Sequence, residues 1–399
     1  GGIDIDRIRD HVRSKLQYIP RYRQRLEFVP YDRRPVWIDD DSFTFDYHVR
    51  HTSLPRPGTD EQLKELAGRI VSTKLDRSKP LWELWFVEGV NDDRFAIIAK
   101  IHHCMIDGIS GVDLTTILLN VIPDGTIEPA DDWVPKPAPT PTQLAVAETA
   151  KLTRRLIDGL GNLSERVRDG FFKITDNTLD KSIAALTSLG SGWLIPSDRT
   201  PLNPDIGPNR RFDWAELPLD EIKAIKNALG GSVNDVVLAI TTGAVRRFLM
   251  ESRDYTPDHA QFRAMNPVST RAQDQRGKLG NQVAMWLVDL PIDEPDAARR
   301  YDIVKANTKV LKDTNQALGA ATLVELSSGT PITLLSLANR VVGPKLRPFN
   351  MTVTNIPGPQ FPMYLLESQM LANYPMVPLW AQHGVGIALF SYNGKLLWG

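Results

Sequence analysis

Six prolines stand between residues 123 and 141 (Pro123, Pro129, Pro135, Pro137, Pro139 and Pro141), and no helix or central strand runs through such a stretch. The chain of 399 residues is also too long for one ordinary hydrophobic core. A second stretch rich in Pro, Asn and Gly covers residues 196–210. The expected division is therefore three parts: a domain at 1–125, a linker and helical bridge at 126–209, and a second domain at 210–399.

Hydrophobic periodicity assigns the elements. Residues 4–26 read as a helix on Ile5, Ile8, Val12, Leu16 and Leu26. A short strand is expected at 35–38 and a helix at 59–74. Strands at 83–90 and 94–103 join through Asn91-Asp92-Asp93 as a β-hairpin. A helix at 109–120 follows, and a long helical region covers 142–189. The second half reads as a strand at 210–217, helices at 219–229 and 234–251, strands at 262–268 and 281–290, and a helix at 295–318. Strands at 351–354, 376–380 and 384–392 finish it. The elements show no regular βαβ alternation and the sequence no internal repeat, so the expected class is α+β.

Bulk properties exclude several functions. The formal net charge of −1 gives no electrostatic argument for nucleic acid. No apolar run approaches the roughly 18 residues of a membrane span, and the first residues do not read as a signal peptide. Cys104 is the one cysteine, which rules out an internal disulfide and a four-cysteine zinc site and fits a reducing cytoplasm.

The chemistry concentrates in His102-His103-Cys104-Met105-Ile106-Asp107-Gly108. A histidine exchanges a proton near neutral pH, a carboxylate at this spacing can fix the turn, and glycine allows the chain to reverse. If the strand stays regular, Phe95, Ile97, Ala99, Ile101 and His103 share one apolar side. His103 is then expected to point inward, into a site that excludes water. Asp107 falls at the start of the following helix, where a carboxylate is favoured. A metal site of His102, His103 and Asp107 is disfavoured because adjacent strand residues face opposite ways. Cys104 is a weaker nucleophile candidate for the same reason. No GxSxG elbow, P-loop or GxGxxG occurs. Direct attack by an activated hydroxyl, without a covalent acyl-enzyme, fits these residues best.

Further motifs accompany this one: Pro80-Leu81-Trp82, Ser232-Val233-Asn234-Asp235-Val236-Val237-Leu238-Ala239, Pro267-Val268-Ser269-Thr270-Arg271, Gly280-Asn281 and Thr354-Asn355-Ile356-Pro357-Gly358-Pro359. With HHxxxDG and in this order, they resemble the bacterial wax ester synthase/acyl-CoA:diacylglycerol acyltransferases. That family lies within the chloramphenicol acetyltransferase-like, CoA-dependent acyltransferases. The resemblance covers nearly the whole chain, although the family usually extends beyond both of its ends. It implies two domains of mixed sheet flanked by helices, with an active-site tunnel at their interface. It further implies transfer of a long-chain acyl group from acyl-CoA to a fatty alcohol or diacylglycerol, with no cofactor besides the acyl-CoA substrate.

On this reading His103 is the general base and His102 supports the loop or lines the site. Asp107 pairs with an arginine, for which Arg271 is the candidate, and Gly108 completes the turn. Asn234 and Asp235 either cap their helix or shape the wall facing His103. Asn281 is a candidate donor to the developing oxyanion. Trp82 anchors its strand or lines the acyl channel, and the turn at Thr354 shapes the domain junction. The Arg-rich amphipathic stretch 142–175 either bridges the domains or lies on a membrane or lipid droplet. Two other readings stay open: a related acyltransferase with another alcohol, an amine acceptor or a carrier-protein thioester donor, and a non-catalytic lipid or acyl-CoA binder.

Overall fold

The computed structural model describes residues 3–30, 35–106, 117–144, 146, 196–258, 260–269, 283–313 and 347–399. They fall into two compact units: Gly1–Thr175 with Pro208–Phe212 and Met363–Gln369, and Asp176–Gly207 with Asp213–Pro362 and Met370–Gly399.

The first unit opens with α1 (Ile5–Lys15), whose first turn is capped by the Asp4 carboxylate accepting from the Arg7 main chain at 3.0 Å. The helix expected to run to residue 26 ends here. Leu16–Tyr18 and Pro20–Arg23 are 3₁₀ turns, and β1 (Gln24–Phe28) pairs antiparallel with β2 (Pro35–Asp39). Pro20 is the cause: it has no N–H to give and disfavours helical backbone at Ile19, which sits at φ −132°, ψ 66°.

Next come α2 (Phe45–His48), β3 (Val49–Ser53) and α3 (Asp60–Ser72). Thr59 and Gln62 close a reciprocal capping box at the start of α3. The hairpin of β4 (Trp82–Val90) and β5 (Arg94–Ile101) forms as expected, and β3 adds parallel to β4. Both faces of this sheet are covered. Trp82, Leu84 and Phe86 pack with Ile8, Val12 and Leu16 of the α1 side. The alternate residues Trp85 and Val87 pack with Ala67 and Ile70 of α3. A short helix, α4 (His103–Ile106), follows β5.

The proline-rich stretch is not a free tether. Glu128 holds Lys15 at 3.1 Å and accepts from Tyr18 at 2.7 Å. Asp131 binds Arg23 at 2.8 Å, and the Lys136 main chain donates to Asp39 at 3.1 Å. Residues 124–136 are thereby laced along the first unit. So is the start of the expected 210–399 block: the Arg210 main chain donates to Ser72 at 2.7 Å, and Phe212 packs on the α3 core.

In the second unit β6 (Ala215–Pro218) leads to α5 (Leu219–Leu229), α6 (Val233–Arg253), β7 (Arg263–Ser269), β8 (Val283–Asp289), α7 (Ala297–Asp313) and β9 (Met351–Pro357). The chain then gives β10 (Tyr364–Leu365) and β11 (Ser368–Gln369) to the first unit, where Leu365 and Leu366 enter the core with Val12 and Trp82 and Asn120 pairs with Tyr364. It finishes in β12 (Gly386–Tyr392) and β13 (Lys395–Trp398). The six-stranded sheet has the order β6-β13-β12-β9-β7-β8 and is mixed: β9 runs parallel to β12 and β7, and the other pairs are antiparallel. Its core joins Val236, Val237 and Leu249 of α6 to Val304, Val288, Val353 and Leu389. The expected strand at 376–380 does not form; Met376 and Trp380 are exposed and give it no buried face. No single helix among the described residues is long and apolar enough to cross a membrane. The two α+β units with a mixed sheet agree with the expected class.

Candidate active site

The histidine pair follows β5 at the open end of the hairpin. Trp82 and Ile101 are the last register pair of the β4–β5 ladder. One step further, the His102 main chain donates to the Leu81 carbonyl at 2.9 Å. Pro80 has no N–H to offer, and the ladder stops there. Strand alternation therefore ends at Ile101, and His103 begins α4 instead of extending β5. The expectation that His103 points inward is corrected accordingly: its residue is exposed, as are His102 and Cys104, while Met105 turns into the core.

The two imidazoles are not equivalent. The Nδ1 of His102 accepts from the Cys104 main chain at 3.3 Å, and the His102 carbonyl accepts from Met105 at 2.8 Å. An accepting Nδ1 leaves the ring proton on Nε2. Partial burial lowers the His102 pKa, with Arg77 and then His103 adding to the effect. The ring of His103 has no hydrogen-bond partner among the described residues. Cys104 is exposed as a residue, yet the protein around its sulfur pushes the thiol pKa up against the pull of Arg21 and Arg77. It is not an activated thiolate.

Trp82 is fully buried. Its Nε1–H donates to the Tyr22 carbonyl at 2.7 Å, and its own carbonyl accepts from His48 Nδ1 at 2.8 Å. The His48 ring stacks on the indole with centroids 4.6 Å apart. Trp82 thus anchors the start of β4, next to the Leu81 carbonyl that holds the His102 main chain. Sequence reasoning missed His48, because a histidine directly before a weak strand carries no periodic signal.

In the second unit Ser232 and Asp235 form a capping box for α6. The Asp235 carboxylate accepts from the Ser232 main chain and hydroxyl, both at 2.7 Å, and from Thr308 at 2.6 Å. Of the two readings for Asp235, the cap is the one its contacts display. Asn234 accepts from the buried Asn266 at 3.3 Å. Thr354 lies on β9 opposite Ala388 and is partly exposed. Trp82, His102 and His103 thus belong to the first unit, and Asn234, Asp235 and Thr354 to the second. Asp107, Gly108, Arg271 and Asn281 lie outside the described residues, and so do the expected Asp107–Arg271 pair and nearly all of 142–175. Among the described residues no group of three His, Cys, Asp or Glu side chains could hold a metal.

Comparison with known proteins adds an independent line. Residues 1–237 match the wax ester synthase/diacylglycerol acyltransferase catalytic domain, and residues 279–398 match the corresponding C-terminal domain. The chain is 34% identical over 382 residues to tgs2 of Mycobacterium tuberculosis, named a probable diacylglycerol O-acyltransferase, covering 92% of this chain and 78% of that one. It is 30% identical over 399 residues to tgs1 of the same organism, named likewise, covering 97% and 80%. The fold resembles the wax ester synthase/diacylglycerol acyltransferase of Marinobacter aquaeolei VT8, with a TM-score of 0.67 at 24% identity over 100% of this chain and 84% of that one. It also resembles the starter condensation domain of rhizomide synthetase, with a TM-score of 0.50 at 10% identity over 99% and 79%. From its motifs, its two matched domains and its fold, the chain belongs to the wax ester synthase/diacylglycerol acyltransferase family.

Proposed function

We propose that this chain transfers a long-chain acyl group from acyl-CoA to the hydroxyl of diacylglycerol or a fatty alcohol, with His103 as the general base. Family membership supports the reaction class. The observation that carries the residue assignment is the asymmetry of the pair: His102 is spent on capping its own turn, whereas the ring of His103 is exposed and uncommitted among the described residues.

The steps balance without a cofactor. The acceptor oxygen attacks the thioester carbon as His103 takes its proton; the C–O bond forms. The C–S bond then breaks, and the imidazolium returns the proton to the departing thiolate, giving ester and free CoA thiol. Proton transfer of this kind supplies about 10²–10⁴-fold. Binding both substrates together adds a proximity contribution. The raised pKa of Cys104 argues for direct transfer over an acyl-enzyme. The acceptor is water-insoluble, so we place the enzyme in the cytoplasm, in reversible contact with a membrane or lipid droplet through the Arg-rich stretch 142–175. Flotation with anionic liposomes tests that contact, and failure to float at low salt removes it.

The test of the reaction is ester formation and thiol release from palmitoyl-CoA with hexadecanol or dioleoylglycerol. His103→Ala is expected to lower turnover at least ~100-fold with an unchanged melting curve. Full activity in that variant overturns the assignment. Thiol release that depends on an amine in place of an alcohol moves the protein to the amide-forming branch.

A further inference from the structure

The histidine turn has two cationic neighbours, Arg21 and Arg77. The 3₁₀ turn Pro20–Arg23 is pinned to Trp82 through the Tyr22 carbonyl at 2.7 Å, and the His102 main chain is pinned to Leu81 at 2.9 Å. Arg21 and the histidine turn therefore flank the same two-residue segment. Its guanidinium lies over the Trp37 ring at 4.6 Å, which fixes its plane and leaves its edge of N–H donors open. Arg77 approaches from the other end of that segment. It stands in the tight turn before Pro80, exposed, while the neighbouring Asp76 is spent on the Ser78 main chain at 2.9 Å and hydroxyl at 2.8 Å.

Several other arginines of the unit carry a counter-charge. Arg23, Arg25, Arg50 and Arg94 each face a carboxylate. Arg21 and Arg77 have no ion pair among the described residues. Holding a partly buried guanidinium without a counter-charge costs folding energy; burial lowers the Arg21 pKa accordingly. The field of both arginines reaches Cys104, the residue after His103 in α4. The net charge of the chain is −1, so this is a local arrangement and not a general excess of cations.

We infer that Arg21 and Arg77 are the contact for the phosphate groups of the acyl donor, holding the CoA moiety so that its thioester reaches His103. CoA carries a pyrophosphate and a 3′-phosphate, and guanidinium forks bind such groups through paired charge-assisted hydrogen bonds. This rests on the acyl-CoA reading above and names the part of the donor that those two side chains recognise.

The test compares two donors with the same acyl chain, palmitoyl-CoA and the palmitoyl thioester of N-acetylcysteamine, which has no phosphate. The ratio of kcat/KM for the first over the second is expected to fall about tenfold in Arg21→Gln, about tenfold in Arg77→Gln, and more in the double variant. Arg21→Lys keeps the charge, loses the fork, and is expected to fall between. An unchanged ratio overturns the inference. So does an equal loss with both donors, which would place the arginines at the departing sulfur or in the fold. Binding of desulfo-CoA by calorimetry separates this from the reaction itself. If the wild type transfers acyl from neither donor, the proposed function fails, and weaker desulfo-CoA binding in the variants still upholds the phosphate contact, while equal binding removes it.

Discussion

His48 donates its Nδ1–H to the Trp82 carbonyl at 2.8 Å while its ring lies flat against the indole of the same residue. The ring is buried between aromatic neighbours, a setting that disfavours the charged imidazolium. Burial, the largest cause, outweighs that hydrogen bond and lowers the His48 pKa to about 4.

Stability is therefore expected to fall in mild acid. The folded-state pKa lies below the ordinary 6.5, so the unfolded chain binds the proton first. The contribution is complete above pH 6.5 and is lost as pH drops through the window from 6.5 to about 4. His48 alone accounts for roughly 3 kcal/mol at the lower end. His11 and His383, whose pKa values burial also lowers, act in the same direction. Urea titrations at pH 7, 5.5 and 4 measure the slope, and His48→Gln should flatten it.

Trp82→Phe removes the indole N–H and leaves the Tyr22 carbonyl without its donor. The expected loss is about 1–3 kcal/mol. Because the same segment suspends His102, kcat is expected to drop along with the melting temperature. A stability loss with unchanged kcat would show that the histidine turn holds itself in place.

Asp235→Ala breaks one half of the α6 capping box, leaves the Ser232 N–H without its acceptor and removes one of the two acceptors of Thr308. Roughly 2–4 kcal/mol of stability should disappear. A variant that melts normally and has lost turnover would return Asp235 to the wall of the site.

Arg23 is buried, and Asp131 neutralises it with a two-pronged contact. Asp131→Ala leaves a buried guanidinium alone and should cost about 3 kcal/mol. Limited proteolysis is then expected to cut residues 124–136 faster than in the wild type.

Gly58 tolerates no side chain. Its φ of +78° is left-handed, and an added Cβ would lie 1.8 Å from the Gly89 carbonyl oxygen. Gly58→Ala should cost more than about 2 kcal/mol, since the obstacle is backbone and cannot rotate away. An unchanged denaturation midpoint would refute this.

What the sequence disclosed, and what it hid, divides along the reach of the interactions. The β4–β5 hairpin and the spans of α3, α5 and α6 all arise from neighbours a few residues apart. They were readable one window at a time. The inward orientation predicted for His103 failed for a non-local reason: a strand alternates only while its partner continues, and Pro80 ends the partner. β3, with Arg50, His51 and Thr52 in its five residues, has no hydrophobic alternation and exists because β4 accepts it. Nothing in the Pro-rich run shows that Glu128 and Asp131 will meet Lys15, Tyr18 and Arg23. The site was readable as a motif, HHxxxDG, and not as a geometry, since the division of labour between His102 and His103 depends on a main-chain turn.

The loan of Leu365 and Leu366 to the core built around Trp82 has a bearing on biosynthesis. Two of the buried leucines of the first unit are translated long after Leu118, the member of that core that precedes them in the sequence. A nascent chain released at the end of the catalytic-domain match would carry an unfilled gap in that core, with the Asn120 backbone lacking its Tyr364 partner. The first half cannot settle while the ribosome is still making the second, and chaperone demand in the cell should track the emergence of this hairpin.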